Sequence, residues 1–88
     1  MKANFKELSV EVQFGEFEPM DVTKVLGNYL HANTSDIGLD DVARAIYYSD
    51  GEIEIVGDMA QAIVAMVKQN RCPLVAAIKR AVIEMLSE

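Results

Sequence analysis

From Glu7 to Phe14 the chain alternates without a break: Leu8, Val10, Val12 and Phe14 are apolar, and Glu7, Ser9, Glu11 and Gln13 are polar. A period of two puts every apolar side chain on one face, which predicts a strand with one buried side. Gly15-Glu16 lies between Phe14 and Phe17, and glycine at the first central position suits a two-residue type II′ turn. The returning strand is expected to be short, with Phe17 as its main inward contact, because Pro19 removes a ladder donor.

The rhythm then changes to that of helices. Val22, Val25, Leu26, Tyr29 and Leu30 repeat at helical spacing behind Asp21, a good N-cap, and Met20 is placed to staple onto Val25. Gly27 inside this helix costs roughly 1 kcal/mol relative to Ala, which implies close approach by a neighbouring backbone. A polar break, Asn33 to Gly38, precedes a second helical set of Leu39, Val42, Ala43 and Ile46. Asp40 and Asp41 favour its positive end, and Ser49-Asp50-Gly51 is expected to close it with a left-handed glycine cap. Ile53 and Ile55 alternate with Glu52 and Glu54, which predicts a short strand near residues 52–56 that adds to the hairpin. Asp58 with Gln61 has the form of a capping box for a third helix carrying Met59, Ile63, Met66 and Val67.

The most apolar segment is the last. Pro73 suits the first helical position, so a fourth helix is expected over Pro73 to Leu86, close behind the third and running antiparallel to it. Leu74, Ile78, Ala81 and Met85 form one row on it, and Val75, Val82 and Leu86 a second. Arg80, Glu84 and Ser87 make the wet stripe. A helix dry around so much of its circumference has to be covered on several sides, by its own chain or by a second copy. Val75, Ile78, Val82 and Leu86 are therefore the candidate interface residues, together with Tyr48. Tyr47 and Tyr48 point about 100° apart on a helix, so one is expected to finish the core and the other to stand near solvent.

Composition narrows the classes. Residues 1–88 suffice for a single domain with one core, and a chain 51% hydrophobic and 25% charged is ordinary for a globular protein. No apolar run approaches the roughly 18 residues that cross a bilayer. Met1 to Asn4 lacks the basic and apolar regions of a secretion signal, so a cytoplasmic location away from membranes is expected. The single cysteine, Cys72, cannot form an internal disulfide, and with the single histidine, His31, it cannot fill a four-ligand zinc site. The net charge of −6 is uneven. Residues 1–58 hold twelve Asp and Glu against four Lys and Arg, a balance of −8, and residues 59–88 hold two against four, a balance of +2. Such a field repels phosphate backbones and anionic membranes and favours a basic partner.

Single residues add little chemistry. His31, near the end of the first helix, reads as a surface or capping histidine favoured by the dipole. Cys72, beside Arg71, has the setting of a lowered thiol pKa, but with no resolving cysteine it reads as structural. The acids Asp36, Asp40, Asp41, Asp50, Glu52, Glu54 and Asp58 match no EF-hand spacing and read as caps and solvated faces. A helix-turn-helix around Thr34 to Gly38 would aim Asp40 and Asp41 at DNA, which electrostatics opposes; Lys68, Arg71, Lys79 and Arg80 read as solubilising charges. Met59, Met66 and Met85 read as core filling.

The order of Leu26-Gly27-Asn28, Ile46-Tyr47-Tyr48, Gly51-Glu52-Ile53-Glu54-Ile55 and the segment from Pro73 to Leu86 resembles small uncharacterised proteins encoded in bacteriophages and prophages. The resemblance runs from Phe5 to Leu86, rests on caps, turns and apolar rows, and transfers no catalytic residue. It implies a phage or mobile-element origin and a role in assembly or regulation through protein contacts. The expected fold is α+β, mainly α, with four helices and a small antiparallel sheet made of the N-terminal β-hairpin and the short strand near 52–56. The expected function is a non-enzymatic interaction module without cofactor or metal, binding itself as a homo-oligomer, in the first instance a dimer, or another protein. The alternative is an acidic regulator or nucleic-acid mimic that occupies a basic protein.

Overall fold

A computed structural model describes residues 1–87. The order is β1 (Lys2–Asn4), β2 (Leu8–Gln13), β3 (Glu16–Met20), α1 (Thr23–Asn33), α2 (Ile37–Tyr47), β4 (Glu52–Glu54), α3 (Gly57–Val67) and α4 (Ala76–Leu86). The fold is α+β and mainly helical. Its strands form two separate antiparallel ribbons, β1 with β4 and β2 with β3, rather than one small sheet.

The β1–β4 ribbon corrects the expectation that the 52–56 strand joins the hairpin. Lys2 pairs with Glu54, Ala3 with Ile53 and Asn4 with Glu52, and the Ile55 N–H extends the ladder by donating to the Met1 carbonyl at 2.7 Å. Ala3 and Phe5 turn inward from one side and Ile55 from the other, all buried. The Asn4 side-chain oxygen then accepts from the N–H groups of Lys6 and Glu7, an Asx-type bend that sends the chain into β2. Three residues are too few to show a period, which hides β1 from pattern reading.

The β2–β3 hairpin differs from expectation in three ways. Its loop is Phe14-Gly15, because Gln13 pairs with Glu16, and Gly15 takes φ 83°, a conformation L side chains resist. Between Glu11 and Gln13 the register shifts, so Val12 stands at a bulge where alternation breaks. Pro19 lies within β3, opposite Ser9, which is tolerated because β3 is an edge strand bonded on one side only. Leu8 and Val10 are buried, but the buried face stops there: Val12, Phe14 and Phe17 are exposed.

Helix α1 starts at Thr23. The Asp21 carboxylate accepts from the Thr23 N–H at 3.0 Å and the Thr23 hydroxyl at 2.6 Å, while Val22, in the cap position, is buried and donates its N–H to the Phe5 carbonyl at 2.9 Å. Met20 and Val25 stay outside the core, so no buried staple closes this end. Gly27 behaves as expected. A Cβ there would come within 2.8 Å of the Tyr47 Cβ and 3.0 Å of the Ala43 carbonyl oxygen, so α1 and α2 meet backbone to backbone. Asp36 caps α2 by accepting from the Gly38 N–H. Its other end is not closed by glycine: Gly51 has no positive φ, and the Ser49 hydroxyl instead donates to the Ile46 carbonyl.

The two C-terminal helices pack on each other, and α4 also packs on β2. Helix α3 begins at Gly57 without a side-chain cap, so Asp58 and Gln61 form no capping box. Helix α4 begins at Ala76 rather than Pro73. The residue before proline avoids the helical region, and Cys72 and Leu74 are both buried, so the chain spends Cys72 to Val75 carrying two side chains into the core before it coils. The connection, residues 68–75, is correspondingly longer than expected.

Candidate interaction surface

The candidate interface residues do not form one face. Val82 is 0% and Leu86 6% exposed, both inside the core of their own chain, and Ile78 is half-buried against it. A surface built on the dry side of α4 is thereby corrected: β2 and α3 already cover that side. Only Val75, 62% exposed just before α4, and Tyr48, 72% exposed at the end of α2, stand in solvent, on different elements.

The exposed apolar surface lies elsewhere. Phe14, at the hairpin tip, is fully exposed and Phe17 is 60% exposed; Val12 and Met20 on the same ribbon are also in solvent. Every residue of β3 is exposed. At about 3.3 Å per residue, Phe14 lies about 13 Å of extended chain beyond Val10, the last position that the body covers, so it cannot reach the core. The alternating pattern hides these residues because neither the bulge at Val12 nor the extent of the covering layer is written in it. An aromatic flanking a hairpin glycine was the available signal. The segment from Glu7 to Thr23 carries Glu7, Glu11, Glu16, Glu18 and Asp21 and no Lys or Arg, so the apolar patch has an acidic rim. Hydrogen bonds from the Thr23 hydroxyl and N–H hold the Asp21 carboxyl below its ordinary pKa, so it is firmly anionic near neutral pH.

A contrasting surface lies across α4. A cleft of about 490 Å³ is lined by Lys68, Asn70, Ala76, Lys79, Arg80, Ile83 and Glu84. Lys79 donates to the Gln69 carbonyl at 2.9 Å, and among the described residues Lys68 and Arg80 have no ion-pair partner. Three of the four basic residues of this end of the chain, Lys68, Lys79 and Arg80, thus share one partly apolar hollow, and Arg71 lies outside it.

The groove between α1 and α2, about 260 Å³, gathers Asn28, His31, Arg44, Tyr47 and Tyr48. Lys24 donates to the Tyr47 carbonyl at 3.0 Å and sits 4.0 Å from the centre of the Tyr47 ring, and His31 pairs with Asp40. Tyr47 is half-buried and packs edge-on against Tyr48. Cys72 is buried beside Tyr29, whose phenol donates to the Met66 carbonyl at 2.8 Å and is pushed up in pKa chiefly by burial. The acids of the middle of the chain are largely occupied: Asp36 as a cap, Asp40 with His31, Asp50 with Lys6 at 2.8 Å and Glu52 with Lys2 at 3.8 Å. Among the described residues no three His, Cys, Asp or Glu side chains converge as metal ligands, and no helix is long and apolar enough to cross a membrane. Comparison of the chain with protein-family models, with curated proteins and with solved structures found no match.

Proposed function

We propose that this chain is a non-enzymatic protein-interaction module that holds its partner through the β2–β3 hairpin. The observation that carries the reading is the pair of phenylalanines, Phe14 and Phe17, standing in water on a hairpin that Leu8 and Val10 anchor in the core. Aromatic side chains supply large contact area at small entropic cost and are enriched at the centres of interfaces. The acidic rim selects a partner whose apolar site is ringed by Lys or Arg, and like-charge contact disfavours others.

A synthetic peptide of alternating lysine and leucine is a probe of that chemistry. Amide chemical shifts are expected to move at residues 12–20 on titration, and binding is expected to weaken from low to moderate ionic strength. The Phe14→Ser/Phe17→Ser double variant should lose most of the affinity while keeping the wild-type thermal melt. Unchanged peptide affinity in that variant, or shifts confined to the helices, would defeat the proposal.

A further inference from the structure

We infer that the partner is a second copy of this chain, with two hairpins exchanged about a twofold axis so that each sits in the basic α3–α4 cleft of the other. The inference rests on the hairpin being a docking element and names its occupant.

Two observations point to a self-complementary arrangement. The first is charge. The hairpin segment carries five acids and no base, while the cleft presents Lys68 and Arg80 without ion-pair partners among the described residues. Its lining includes the exposed Ala76 and the half-buried Ile83, and exposed Val75 adjoins it in sequence, so an incoming aromatic meets apolar surface among three basic side chains and one acid, Glu84. The patches match in polarity and sign even though two chains of net charge −6 repel at long range. The second is adjacency. A smaller hollow on the hairpin side of α4 is lined by Phe17, Glu11, Arg80 and Glu84 among others, and Arg80 and Glu84 also border the basic cleft. The docking element and its receptor therefore meet along one ridge of α4. A twofold axis beside that ridge lays each hairpin on the other copy's cleft, making the same contact twice and closing the assembly.

The competing way to pair two copies, edge to edge through β3, is opposed by the sequence of that strand. Antiparallel self-pairing would bring Glu16 and Glu18 of one copy against those of the other, and Pro19 has no N–H to donate.

The test uses two charge-reversed full-length chains, both altered only at exposed positions. Glu16→Lys/Glu18→Lys takes the hairpin itself, Leu8 to Met20, from three acids and no base to one acid and two bases, and Lys68→Glu/Arg80→Glu reverses the cleft. Sedimentation equilibrium at high micromolar concentration should give a dimer for the wild type and a dissociation constant weakened roughly tenfold or more for each variant alone. An equimolar mixture of the two should dimerise again, because both hairpin-to-cleft contacts of the mixed pair are then of opposite sign. Matching thermal melts establish that both variants fold. A monomeric wild type, a variant that dimerises as tightly as wild type, a mixture that stays monomeric, or a wild-type mass rising past two copies would overturn the exchanged dimer. Failure of the docking function itself is a separate result: a monomer that still binds the lysine-leucine peptide through Phe14 and Phe17 loses the dimer and keeps the docking element.

Discussion

The two ribbons of this protein invert the usual relation between strand length and burial. β1 and β4 are three residues each, yet Ala3, Phe5 and Ile55 at their inner side are buried. β2 and β3 run to six and five residues, yet beyond Leu8 and Val10 the hairpin is almost wholly exposed. Ladder length measures backbone pairing; burial depends on what lies across the face. On the short ribbon Ala3, Phe5 and Ile55 all enter the core, and the Phe5 carbonyl also accepts the Val22 N–H at the start of α1. The long one projects past its covering layer. One ribbon is therefore used up along its inner side, whereas the other keeps apolar surface in solvent beyond Leu8 and Val10.

The sharpest way to break this contrast is to truncate one phenylalanine from each region. Phe5→Ala empties a fully buried site and should lower unfolding stability by about 3–5 kcal/mol, whereas Phe14→Ser should stay within about 0.5 kcal/mol of wild type. Urea titration followed by circular dichroism measures both, and comparable losses would dissolve the distinction. A glycine pair tests it next. Gly27→Ala forces α1 and α2 apart and should cost about 1–3 kcal/mol, reduced by the better helix propensity of alanine. Gly15→Ala strains a positive φ in open space, so it should loosen the hairpin turn in amide exchange while the helical body keeps its protection.

The smallest expected effect is electrostatic, at the bend where the ribbons join. Lys6, between β1 and β2, holds Asp50, just before β4. That hydrogen bond keeps the Asp50 carboxyl below, and the Lys6 ammonium above, its ordinary pKa. Asp50 and Asp21 are both depressed in the folded state, so their contribution is complete above the free carboxylate range near pH 4 and is lost as pH falls through the lower folded values. Lys6 has the opposite sign: its contribution is complete below the free lysine value of about 10.4 and is lost as pH rises through the raised one. Asp50→Asn should flatten both limbs of a stability-against-pH curve slightly, and an unchanged acid limb would leave Asp21 as the source.

Much of the architecture was legible from local pattern. The four helices follow from apolar residues at helical spacing, and the close approach at Gly27 follows from a residue that helix propensity alone disfavours. The hairpin is visible in the alternation of Leu8 to Phe14 around a turn glycine. The apolar row ending in Val82 and Leu86 was visible as a face that has to be covered, but pattern cannot say by what. Covering by the same chain and covering by a second copy have one sequence signature, and here β2 and α3 cover it.

What the chain's order of residues determined by itself, then, is which segments coil, which extend, and where acid and base are concentrated, because these depend on spacings of a few residues. What only the tertiary structure decided is which apolar faces are used up inside the molecule. Phe5 and Phe14 are chemically identical, and their fates diverge because one lies in the core cluster while the other stands about 13 Å of extended chain beyond the last covered position. Burial is set by neighbours distant in sequence, and no local period encodes them.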